Sequence, residues 1–180
     1  MEAQATHQDI LSENLRALHR FHRDLYEHAV QNWNQRWPGL SPAFARTGAF
    51  TLKKVFPDGR EVFLHSSGDP VREARSFVHG KFGSGSDAMI LGFGLGYHVR
   101  EALQRLPSGA SITVTILNPD AFWYAMEWIP ITDLLSDPRL EYVWGSDAQI
   151  LEKVFQHPVF LNDPDRIFFH KPSLSFAGDD

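Results

Sequence analysis

The residues best placed to do chemistry are Tyr97 and His98, which follow the alternating glycines Gly92, Gly94 and Gly96. Histidine titrates near neutral pH and suits proton transfer or contact with a phosphate, and tyrosine can stack on a base. Glycine adopts backbone angles closed to other residues and lets a ligand or a neighbouring chain come close. N–H groups at the start of a following helix favour negative charge. A nucleotide-like ligand at Gly92, Gly94, Gly96, Tyr97 and His98 is therefore the first expectation. The dinucleotide fingerprint Gly-x-Gly-x-x-Gly would need glycine at position 97, and Gly-x-Gly-x-Gly is closer to enzymes that use S-adenosylmethionine. The same glycines would also let a helix pack tightly on a sheet, with His98 bonding a neighbouring carbonyl and Tyr97 packed under the loop.

Asn118 and Asp120 follow the second apolar strand of the αβ region, where Asn can hydrogen-bond a hydroxyl but forgoes a charge-assisted bond. Asp147 follows the third strand, where it could meet a ligand, or serve a capping box over Ser146 to Gln149 at a helix start. His65, Asp69 and Glu73 gather near one joint and read as a cap plus a surface carboxylate. His19 and His22 stand three apart without a third ligand, and with Arg16, Arg20 and Arg23 read as a solvated basic face. No Ser-His-Asp order, P-loop, metal-ligand cluster or paired-carboxylate spacing stands out. Neither catalytic residues nor metal ligands are assigned.

These residues must be positioned by one substantial core. The 180 residues are 43% hydrophobic, enough for a single αβ unit with an appendage. A net charge of −5 gives no electrostatic reason to expect nucleic acid or an anionic membrane as partner. The absence of cysteine excludes disulfides, thiolate metal sites and cysteine catalysis. The charged first thirty residues lack a signal-peptide core and no apolar run is long enough to span a bilayer, so a cytoplasmic location is expected.

Along the chain, Leu11, Leu15, Leu18, Phe21, Leu25, Ala29 and Trp33 predict one amphipathic helix ending before Pro38. Residues 37–47 read as a connector. Ala49 to Phe56 and Arg60 to His65, turned at Pro57-Asp58-Gly59, predict a hairpin. Asp69 and Pro70 open a helix, and Gly83 to Ser86 form a joint. Ala88 to Leu91, Ile112 to Leu117, Leu140 to Trp144 and Arg166 to His170 predict strands, alternating with helices. This pattern indicates a three-layer Rossmann-like parallel sheet of order 3-2-1-4, with ligand space above the carboxyl ends of its first two strands. Residues 1–83 would supply the first helix, hairpin and linking helix, and residues 84–180 the αβ core, packed as one structural unit. Phe122, Trp123, Tyr124 and Trp128 exceed what one helix face can bury, and an exposed member would suit a partner.

Several stretches resemble, in order, the amino-terminal region of the motility-associated factor (Maf) proteins. They are Asn14-Leu15-Arg16-Ala17-Leu18, Leu64-His65-Ser66-Ser67-Gly68-Asp69-Pro70-Val71-Arg72-Glu73-Ala74, Gly92-Phe93-Gly94-Leu95-Gly96-Tyr97-His98 and Asp133-Leu134-Leu135-Ser136-Asp137-Pro138-Arg139. That family comprises bacterial glycosyltransferases that attach nonulosonic acids to flagellin. The resemblance implies an amino-terminal domain without the sugar-nucleotide centre, since transfer is assigned to a larger domain that would begin near Pro172. Its implied partners are that following domain and flagellin. The pattern also resembles class I methyltransferases, which place an acid on the ribose hydroxyls after the second strand and another on the adenine after the third. This chain offers Ile116 or Asn118, then Asp120, at the first place and Asp147 at the second. The cofactor is left open between a nucleotide, a nucleotide sugar and S-adenosylmethionine.

Overall fold

The computed structural model describes residues 6–32, 40–82, 87–144 and 147–177. Thr6 accepts from the Asp9 N–H while the Asp9 carboxylate takes the Thr6 N–H, a capping box that starts α1 (His7–Phe21). The single helix expected here is in fact two, because the backbone leaves helical geometry at His22 before α2 (Arg23–Asn32). His22 Nε2 lies 2.9 Å from the Leu135 carbonyl and its ring packs edge-on against Tyr142. These contacts hold the bend against the body of the protein.

The region expected as a connector contains β1 (Leu40–Phe44), which pairs antiparallel with β2 (Phe50–Val55). Pro42 removes an N–H but is tolerated because β1 is an edge strand. β2 turns through Gly59, at φ +83°, into β3 (Glu61–Phe63). Asp69 then caps α3 (Pro70–Val78), its side chain accepting the Arg72 N–H at 3.0 Å.

The αβ region runs β4 (Ala88–Leu91), α4 (Tyr97–Leu103), β5 (Ile112–Thr115), α5 (Pro119–Trp128), α6 (Thr132–Ser136) and β6 (Leu140–Val143). It continues through α7 (Asp147–Gln156), α8 (Pro158–Asn162), a 3-10 turn (Pro164–Arg166), β7 (Ile167–Phe169) and α9 (Lys171–Ala177). All four strands are parallel in the order β6-β5-β4-β7, the expected 3-2-1-4, and the fold is Rossmann-like with a small antiparallel sheet. Side chains alternate across the sheet: Ile90 joins a core with α1, α3, α4 and α5, whereas Met89 joins Ile150, Val154 and Val159 on the opposite side. Leu18, Leu52 and Ile90 belong to one apolar cluster, so helix, hairpin and αβ region share a core.

Asn14 ties α1 to this core. It is fully buried, donates to the Met126 and Ile129 carbonyls at 3.0 and 2.8 Å, and accepts from the Ile131 N–H at 3.1 Å. It thereby satisfies groups left open at the end of α5. The aromatic residues of α5 are used internally, contrary to the expectation of an exposed one. Phe122 and Trp123 are buried, Tyr124 is half-buried, and half-buried Trp128 stacks on Phe50 with centroids 4.8 Å apart. Ser146, and with it the expected capping box, lies outside the described residues.

Candidate functional site

The turn after β4 requires its glycines. Gly92, Gly94 and Gly96 have φ of +104°, +55° and +84°, the region that disfavours side chains. The close approach they allow is used within the chain. A Cβ on Gly92 would lie 2.4 Å from Ser173 Cβ, on Gly94 2.8 Å from His65 Nε2, and on Gly96 2.8 Å from Leu134 Cδ1. The loop amides are also engaged: Gly92 N–H donates to Thr115 Oγ1 at 3.0 Å, Phe93 N–H to the Thr115 carbonyl at 2.8 Å, and Leu95 N–H to His65 Nε2 at 3.1 Å. Helix α9 lies over the carboxyl ends of β4 and β5. Its Ser173 meets Gly92, its Phe176 is fully buried, and Asn118 Nδ2 is 3.4 Å from the Phe176 carbonyl.

Beside this turn three buried histidines converge from separate elements: His65 after β3, His98 in the first turn of α4, and His170 after β7. One nitrogen from each lies within 4.8 Å of the others. The His98 and His170 rings stack with centroids 4.0 Å apart, and His65 and His170 with centroids 4.8 Å apart. Each ring is held from outside the cluster. The Leu95 N–H can only donate, so His65 carries its proton on Nδ1 and points it at Glu73 Oε2, 3.3 Å away. The Gly92 carbonyl can only accept, so His98 donates from Nε2 at 2.8 Å. That leaves the His98 Nδ1 lone pair buried without a partner. His170 Nδ1 lies 2.6 Å from Ser173 Oγ, and its Nε2 has no hydrogen bond among the described residues.

Burial disfavours the charged imidazolium, and neighbouring His65 adds to the effect, so His98 is pushed down to about 3. His170 is pushed far down by burial and by the other two rings. Burial acts to raise the Glu73 carboxyl, but the His65 ring and the Ser66 N–H outweigh it and hold it below its ordinary value. Tyr97 is pushed up to about 12 by burial, and its hydroxyl donates to the Phe50 carbonyl at 2.8 Å. A cavity of about 240 Å³ opens beside the cluster, lined by the three histidines, Glu73, Phe77 and Lys81 among others. The Lys81 ammonium sits 4.2 Å from the centroid of the Phe77 ring, and partial burial lowers its pKa.

Of the residues singled out in the sequence, the structure sets Gly92, Gly94 and Tyr97 against the histidine cluster to which His98 belongs, while Gly96 packs against Leu134 and Phe93. Asn118 lies under α9, where its Oδ1 accepts the Ala121 N–H at 2.9 Å and caps α5. Asp120 is buried in the first turn of α5, and Asp147 begins α7. The sequence reading missed His65 and His170 as partners of His98. A usable signal existed: the order 3-2-1-4 sets β4 beside β7, so residues just past both strands share one end of the sheet.

No protein-family model matches the chain, and no curated protein shows significant similarity to it. Among solved structures the chain is similar to the Maf glycosyltransferase of Magnetospirillum magneticum AMB-1, at a TM-score of 0.63 and 15% identity. The match covers 95% of this chain and 34% of that one, so the chain spans about a third of the length of this neighbour. A spermidine synthase of Thermotoga maritima aligns over 63% of this chain and 43% of its own, with 18% identity and a TM-score of 0.42, too low to support a fold argument.

Proposed function

We propose that this chain is the amino-terminal Rossmann-like region of a Maf-type glycosyltransferase and acts as a binding and docking module in flagellin glycosylation. The observation that carries this reading is the similarity to the Maf glycosyltransferase over 95% of the chain. The ordered sequence blocks from Asn14 to Arg139 support it independently. The seating of α9 over Gly92 and Asn118 favours a non-catalytic role, because a nucleotide lying on the glycine turn would have to displace Ser173 and Phe176.

The test combines the chain with a cytidine-activated nonulosonic acid and flagellin, then measures the intact mass of flagellin. Calorimetry with flagellin should show saturable binding while the mass stays unchanged. Sugar transfer by the chain alone would overturn the docking reading, and absence of any flagellin heat would remove flagellin as its partner. A methyltransferase-like enzyme should bind S-adenosylhomocysteine in the micromolar range, about −8 kcal/mol, and the docking reading expects no such binding.

A further inference from the structure

We propose that His65, His98 and His170 form a three-histidine site for a divalent transition metal, zinc or a zinc-like ion, with its open position facing the cavity lined by Glu73 and Lys81. The donor set and its hydrogen-bonded support carry this site independently of the glycosyltransferase reading. Metal-binding histidines use one ring nitrogen as ligand and give the other to a carboxylate, a carbonyl or a hydroxyl that fixes ring and tautomer. All three outer partners are present: Glu73 for His65, the Gly92 carbonyl for His98 and Ser173 for His170.

The inner nitrogens fit this assignment. His98 Nδ1 is a buried lone pair with nothing to accept, an arrangement that a packed core ordinarily avoids. Three neutral imidazoles without a thiolate suit zinc, cobalt or nickel rather than calcium or magnesium, which prefer oxygen. One ring nitrogen from each histidine lies within 4.8 Å of the others. Ligand bonds of about 2.0 Å in a tetrahedral site bring nitrogens to roughly 3.3 Å, so the rings must close inward by about 1 Å and tilt out of their present stack to aim their in-plane lone pairs at one ion. His65 must also exchange a hydrogen bond for the metal, since its Nε2 accepts from Leu95 N–H at 3.1 Å. The fourth position faces the cavity, where water or a ligand atom could complete the shell.

The experiment uses the full chain after chelator dialysis, with Co2+ and Zn2+ as probes. One Co2+ per chain should bind with the visible d–d absorption of a tetrahedral nitrogen site, and equimolar Zn2+ should displace it and raise the melting temperature. His98→Gln keeps an N–H for the Gly92 carbonyl, and with His170→Gln should weaken binding at least tenfold. Glu73→Gln, which alters only the outer support of His65, should weaken it about tenfold, and exposed His79→Gln should leave it unchanged. Should the buried variants fail to fold, the parent still decides the matter. Zn2+ must shift the Leu95 amide resonance as its bond to His65 is exchanged. No stoichiometric Co2+ absorption, an unmoved Leu95 amide, or binding lost in His79→Gln would each overturn the site and leave a hydrogen-bonded histidine core.

Discussion

Lowering the pH from 7 to 5 in the presence of chelator should destabilise the fold before the carboxylates take part. His98 has an ordinary pKa of about 6.5 in the unfolded chain and is pushed down to about 3 when folded, chiefly by burial. Between those values the unfolded state binds a proton that the folded state refuses, so its contribution is fully present above about pH 6.5 and is lost as pH falls toward 3. At about 1.36 kcal/mol per pH unit, 1.5 units below 6.5 cost about 2 kcal/mol by pH 5 from His98 alone. His170 and His22 are depressed in the same direction and add losses of the same sign. The lowered carboxyl groups of Glu73, Asp133 and Asp137 also lose stability on acidification, but only as pH falls through the lower carboxylate range. Urea unfolding followed by circular dichroism at half-unit intervals measures this, with His98→Gln as the comparison. The fall between pH 7 and pH 5 should shrink by about 2 kcal/mol in the variant. A stability profile flat from pH 7 to pH 5 would refute a buried, neutral His98.

Gly94→Ala and Gly109→Ala separate packing from backbone strain. Both glycines have positive φ, but a Cβ on Gly94 meets His65 Nε2 at 2.8 Å while one on Gly109 meets nothing within 4 Å. Each should lose about 1 to 2 kcal/mol from the left-handed backbone. Gly94→Ala should lose a further 1 to 3 kcal/mol or so by overpacking, and equal losses in urea unfolding would remove the packing role. Asn14→Ala should lower stability by about 3 kcal/mol, because it strands the Met126 and Ile129 carbonyls and the Ile131 N–H. A loss below about 1 kcal/mol in thermal or urea unfolding would mean that water or a backbone shift satisfies those groups.

What the sequence disclosed was local. Asp69 before Pro70 announces a helix start because the capping oxygen and the N–H it accepts lie three residues apart. The parallel sheet was legible from strand-helix alternation, and its order followed from connection rules. β1 escaped because Leu40-Ser41-Pro42-Ala43-Phe44 lacks a β-branched run, and only pairing with β2 makes it a strand. The bend at His22 escaped because its cause, the Leu135 carbonyl, lies far along the chain. α9 escaped because seven residues with two serines and a proline carry too little periodicity to announce a helix.

The glycine turn shows the limit most clearly. A short motif records where a Cβ is forbidden, and the same prohibition follows whether the intruding atom belongs to a nucleotide or to the protein. Here the atoms nearest Gly92 and Gly94 are those of Ser173 and His65, supplied by segments on either side of the turn in sequence. His98 is different in kind. Its ring is held by Gly92 on one nitrogen while the other is buried and unpartnered, and the ring packs against two further imidazoles. Packing explains the glycines, yet it gives no reason to bury three histidines with a lone pair left over. A core that needed only volume would fill this space more cheaply with apolar side chains, since a buried polar atom without a partner costs about 1 to 3 kcal/mol. In the proposed metal site the chemistry of this end of the sheet lies in the histidines that the glycines admit, and the glycine turn is the scaffold that lets them meet.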